Sequence, residues 1–126
     1  INANTSPNFE FIFPHAPFSI IDRLRIIEEL ANVIIPNEII TNFQFLYGRW
    51  PEWTDNGHEI GRHFANIIEN NKTIRTLVID DYMFHSAGTL LIADALLNNN
   101  TITNLRLKHN DIDGDGAIRL FNTLKT

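Results

Sequence analysis

The sequence predicts an α/β chain of about three βα repeats behind an N-terminal helix. Three observations predict it. Residues 71–98 align with residues 99–126 at an offset of 28, with identities at Asn71/Asn99, Thr73/Thr101, Ile74/Ile102, Leu77/Leu105, Gly88/Gly116 and Leu96/Leu124. Each unit opens on apolar residues two apart and continues with apolar residues at helical spacing. Neither a lone strand nor a lone helix of this kind buries its apolar side, and stacking such units side by side builds one continuous core.

The elements follow in order. Phe9, Phe11 and Phe13 alternate and read as a strand or extended arm, the remnant of an earlier unit or a cap over the first. Pro17 to Val33 is an amphipathic helix with Ile20, Leu24, Ile27, Leu30 and Ala31 on one side, closed by Pro36. Ile40, Phe43 and Phe45 match Ile74, Leu77 and Ile79 at an offset of 34, so they open a looser first repeat. Its helix runs from Glu59 to Glu69 with Phe64, Ala65, Ile67 and Ile68 inward, and its six extra residues fall in the loop Tyr47 to Gly57. The second repeat pairs the strand around Leu77 with a helix from Ala87 to Leu97, in which Leu91, Ile92, Ala95 and Leu96 face inward. The third pairs Thr103 to Leu107 with a helix from Gly116 through Leu120, Phe121 and Leu124.

Residues 98–124 read Asn-x-x-x-Ile-x-x-Leu-x-Leu-x-x-Asn-x-Ile-x-x-x-Gly-x-x-x-Leu-x-x-x-Leu. This pattern resembles the 28-residue leucine-rich repeat of the ribonuclease-inhibitor type. The resemblance is specific in 71–126, looser in 37–70 and absent in 1–36. It implies a right-handed solenoid with parallel strands on a concave face and helices on the convex one, and a protein that binds proteins without catalysis. It also implies that Asn110 satisfies backbone groups of the turn after the strand. Tyr82 and Gly48 stand at the equivalent places, so that asparagine series is incomplete. The repeat glycine is present at Gly88 and Gly116, with Ile60 in its place upstream.

Composition narrows the function. The chain has 126 residues, enough for one domain, and 44% are apolar, enough for a core. A net charge of −5 argues against a nucleic-acid partner and against docking on anionic lipid. No apolar run reaches membrane-spanning length. Cysteine is absent, which removes thiolate chemistry and is compatible with a reducing compartment; together with the family resemblance this implies an intracellular and cytoplasmic site, with an organelle left open. The chain starts at Ile1 and stops directly after a helical pattern, so it reads as a piece of a larger protein or assembly whose partner covers the last repeat.

Asp111-Ile-Asp113-Gly-Asp115-Gly116 matches the opening of a calcium loop, with Asp111, Asp113 and Asp115 as oxygen ligands. Asn122 replaces the bidentate glutamate that such a loop needs, and strand rather than helix precedes it, so calcium is the alternative and no cofactor is expected. His58 and His63 are five apart, about 140° around a helix, and read as solvated rather than metal-binding. Asp80-Asp81 reads as an acidic binding rim or a solvated turn. Asn4, Asn71 and Asn99 stand in glycosylation sequons, but the repeat itself explains the last two. Trp50 and Trp53 flank Pro51 in the inserted loop, and either bind a partner there or fold back over the first repeat. Between the inward strand positions lie Gln44, Val78, Asp80, Arg106 and Lys108, which present a face running from neutral through acidic to basic. The expected function is a non-catalytic module that binds a protein through this face and the tryptophan loop.

Overall fold

The computed structural model describes residues 6–14, 18–50 and 56–124. Four strands alternate with four helices: β1 (Asn8–Ile12), α1 (Ile20–Ile34), β2 (Asn42–Leu46), α2 (Gly57–Asn70), β3 (Thr76–Ile79), α3 (His85–Leu97), β4 (Asn104–Arg106) and α4 (Gly114–Leu124). The strands form one parallel sheet in chain order. The helices also pack in chain order, α1 on α2, α2 on α3 and α3 on α4. The predicted α/β class and every predicted strand and helix are present. The opening arm is a full strand of the sheet, paired along its length with β2.

Alternation along the strands separates two faces. Phe43, Phe45, Leu77 and Ile79 are fully buried and join a core with Ile27 and Ile34 of α1, Ile60, Phe64 and Ile67 of α2, and Ile92 of α3. Aromatic rings fill much of it: Phe9 stacks on Phe43 at 5.1 Å across the β1–β2 pair, and Phe45 meets Phe64 edge-on at 4.8 Å. α1 starts at Ile20, where the Ser19 side chain accepts the Asp22 amide at 3.1 Å. It runs one residue past the predicted end, and Val33 lies off the buried Ile27, Ala31 and Ile34 side and is 65% exposed.

Two asparagine series tie neighbouring units together. At the helix-to-strand turns, Oδ1 of Asn37 accepts the amides of Ile39 and Ile40, Oδ1 of Asn71 those of Thr73 and Ile74, and Oδ1 of Asn99 those of Thr101 and Ile102. Nδ2 of Asn71 then donates back to the Ile34 and Asn37 carbonyls, and Nδ2 of Asn99 to the Ile68 carbonyl. Asn71 is buried, with its amide nitrogen committed to two carbonyls, so its sequon cannot serve as a glycosylation site in the folded chain. At the strand-to-helix turns, Asn110 takes the role expected of it. Its Oδ1 accepts the Tyr82 and Met83 amides at 2.7 and 3.2 Å, and its Nδ2 donates to Ile79 and Lys108 at 2.8 and 3.1 Å.

Those turns share a backbone form. Tyr47, Asp81 and His109 have positive φ, as do Arg49, Met83 and Asp111 two residues on. The residue between is Gly48, Tyr82 or Asn110. A Cβ at Gly48 would lie 2.5 Å from the Asp81 carbonyl oxygen and 2.6 Å from the Tyr82 ring, so the tyrosine occupies the room a side chain would need. The helices meet through another close approach. A Cβ at Gly61 would fall 2.3 Å from the Gly88 Cα. Gly61 and Gly88 together let α2 and α3 touch.

The last helix leaves the open apolar side expected of an uncapped repeat. Phe121 and Leu124 are 63% and 69% exposed, because among the described residues no further helix packs on α4. No described helix is long and apolar enough to cross a membrane.

Candidate protein-binding face

The sheet face turned away from the core carries the residues singled out in the sequence. Register puts them in rows across the four strands. One row is Asn8, Asn42, Thr76 and Asn104, and the next is Glu10, Gln44, Val78 and Arg106. Ile12 pairs with Leu46, and Asp80 and Lys108 extend that row past the ends of β3 and β4. The Asp80 carbonyl accepts the Gly48 amide at 3.1 Å, and the Lys108 carbonyl accepts the Asp81 amide at 3.0 Å. Gln44, Val78 and Asp80 are half-buried, and Arg106 and Lys108 are exposed. The structure thus brings five of the predicted residues onto one surface.

Sequence reasoning left β1 off this face. Asn8, Glu10 and Ile12 belong to it, and Ile12 is 50% exposed. The signal was available, because inward Phe9, Phe11 and Phe13 require outward Asn8, Glu10 and Ile12. With β1 included, the charge order is acidic at Glu10, neutral at Gln44 and Val78, and basic at Arg106. Asp80 sits beside Lys108 in the adjoining row.

The acidic pair has unequal surroundings. The Asp80 side chain is 18% exposed, with Oδ1 3.6 Å from His109 Nδ1, beyond hydrogen-bond reach. Burial pushes the Asp81 carboxyl above its ordinary value, and the Asp80 charge adds to that, while a hydrogen bond from the Arg49 backbone opposes it.

Trp50 is corrected. It is 3% exposed, its indole edge-on to Phe13 at 6.0 Å and tilted against Tyr82 at 6.3 Å. Arg23 lies over both Phe13 and Trp50, at 4.8 and 5.3 Å, and donates to the Gly48 carbonyl at 2.9 Å. Trp50 is therefore the fold-back reading realised, a plug between β1, α1 and the first inserted turn, and not a surface anchor. Arg49 reinforces the closure by donating to the Phe13 carbonyl at 2.7 Å. Trp53 lies outside the described residues.

Two of the three residues of the calcium alternative have other partners. Asp111 Oδ2 is 2.9 Å from His85 Nδ1. Asp113 caps α4, with Oδ1 accepting the Gly116 amide at 2.9 Å, and a bond from Ser86 also holds its carboxyl below the ordinary value. Asp115 sits in the first helical turn. Among the described residues, no group of three or more carboxylate or histidine side chains is placed to hold a metal ion. His63 is a further correction: it is 6% exposed rather than solvated, while His58 is exposed.

The chain matches no protein-family model and no curated protein.

Proposed function

We propose that this chain is a single leucine-rich-repeat-type solenoid that works as a non-catalytic protein-interaction module within a larger assembly. The observation that carries this reading is the open sheet face. Four strands in register present side chains in rows, while the helices and both asparagine series lie behind or beside it. A parallel sheet whose second face is left uncovered by its own helices is unusual, and its half-buried Gln44, Val78 and Asp80 offer a rigid surface that loses little entropy on binding. The run from Glu10 to Arg106 suits a protein partner of opposite charge order, with Val78 as the apolar centre.

Differential capture tests the reading. The chain, a Val78→Arg/Arg106→Glu variant and a helix-side Glu28→Lys control are used as bait, and bound proteins are compared quantitatively. The proposal expects a set of proteins kept by the control and lost by the face variant, with both baits folded by circular dichroism. Equal capture by the face variant would remove the face from the account.

A further inference from the structure

Each internal seam has the same layout, an apolar strand row and an apolar helix side meeting the like parts of the next unit. The two end faces of the stack present the two halves of such a seam. At the β4–α4 end, Leu105, Leu107, Ile112, Leu120 and Phe121 line an open apolar groove. At the β1–α1 end, Phe11, Phe18, Ile26, Leu30 and Val33 line another, rimmed by Asp22, Arg25 and Glu29. Among the described residues, the outer edges of β1 and β4 pair with no strand. Open edges and apolar patches of this kind call for a partner.

We propose that the β4–α4 end of one copy docks on the β1–α1 end of a second copy of this chain, head to tail. The register identifies the occupant. Continuing the sheet by one strand places β1 of the next copy beside β4, so Leu105 meets Phe9, Leu107 meets Phe11 and Arg106 meets Glu10. The apolar rows then continue unbroken, and the opposite charges fall directly across from each other. The strand edges are complementary in charge as well, with Glu10 on one and Arg106 and Lys108 on the other, while Asp111, Asp113 and Asp115 lie off that edge, in and just past the turn into α4. Two like ends brought together would oppose Arg106 to Arg106 or Glu10 to Glu10 in the matching register. The contact is looser than an internal seam, because Pro14 falls in the column of Asn110 and brings no side-chain donor to the turn. Association is therefore reversible. Because the two surfaces differ, it is also open-ended, forming short linear oligomers rather than a closed dimer.

Sedimentation velocity from about 10 µM to about 1 mM, the range of weak specific association, tests this on the full chain and two variants. Val33→Asp spoils one end, and Phe121→Asp spoils the other; both sites are exposed. The expected result is a sedimentation coefficient that climbs with concentration past the dimer for the unmodified chain. Each variant alone stays monomeric, and their equimolar mixture gives a one-to-one dimer and nothing larger. A monomeric chain throughout, self-association of either variant alone, or a monomeric mixture overturns the proposal. If either variant loses its circular dichroism spectrum, Glu10→Arg and Arg106→Glu decide. Each alone weakens association about two- to fivefold, and the double swap in one chain restores it. Failure of the double swap to recover refutes the register.

Discussion

Replacing Asn110 by alanine tests how the units are joined. Asn110 is 1% exposed, and its amide makes four hydrogen bonds to the backbone, two of them received from the Tyr82 and Met83 amides. Alanine leaves those two buried N–H groups without their acceptor. Each such loss costs about 1–3 kcal/mol, so the pair costs about 3 kcal/mol when the turn relaxes in part. Over a chain of this size that lowers Tm by on the order of 10 °C. Asn110→Asp keeps the acceptors but turns a carboxylate toward the Ile79 and Lys108 carbonyls, so at neutral pH it rescues little. Asn122→Ala is the control, because Asn122 is exposed on α4, and surface changes of this kind stay within about 0.5 kcal/mol. The assay is urea unfolding followed by circular dichroism, with midpoints compared at constant slope. An Asn110→Ala midpoint equal to that of Asn122→Ala would refute the reasoning.

Four further outcomes are expected. Gly61→Ala drives a methyl into the Gly88 backbone, where no flexible side chain can give way, and destabilises by about 2 kcal/mol despite alanine's better helix propensity. Gly114→Ala meets nothing within 4 Å and is neutral or stabilising in the same melts. Burial pushes the Tyr82 phenol above its ordinary 10.0, so the fold favours the neutral form and its contribution is complete below pH 10. It is lost as pH rises beyond that, and in an absorbance titration the Tyr82 phenolate emerges only together with unfolding, a step that Tyr82→Phe removes. For His63, burial and then Arg62 hold the imidazole below its ordinary 6.5, against opposing effects of Glu28 and Glu59. The folded state therefore binds fewer protons than the unfolded chain, and stability declines as pH falls through 6.5. Urea midpoints at pH 7.5 and 5.5 check this, and His63→Gln should narrow the difference.

Most of the fold was legible in the sequence because period-two and helical spacings report burial directly. Leu77 and Leu105, or Phe43 and Phe45, could face only one way. The Asn110 role was legible from the repeat pattern. The Asn37, Asn71 and Asn99 series was visible as repeated letters but not as function, since a side chain that bonds two amides in its own turn and a carbonyl of the preceding unit has no local signature. Trp50 was undecided because spacing says nothing about where an inserted loop folds. Its burial depends on the space between Phe13 and Arg23 of the β1–α1 unit and Tyr82 two units on. Phe121 and Leu124 kept the apolar period of Ala93 and Leu96, yet lie open, because periodicity marks the side that would be buried and not whether a neighbour is there.

The central claim is that the open sheet face receives a protein. Photo-crosslinking tests it most directly, with benzoylphenylalanine placed at Gln44 or Val78 on the face, or at Asn66 or Asp94 on the exposed helix side. The account predicts one common adduct from both face positions and none from the helix positions. Adducts from Asn66 or Asp94 alone would place recognition on the helices and contradict it.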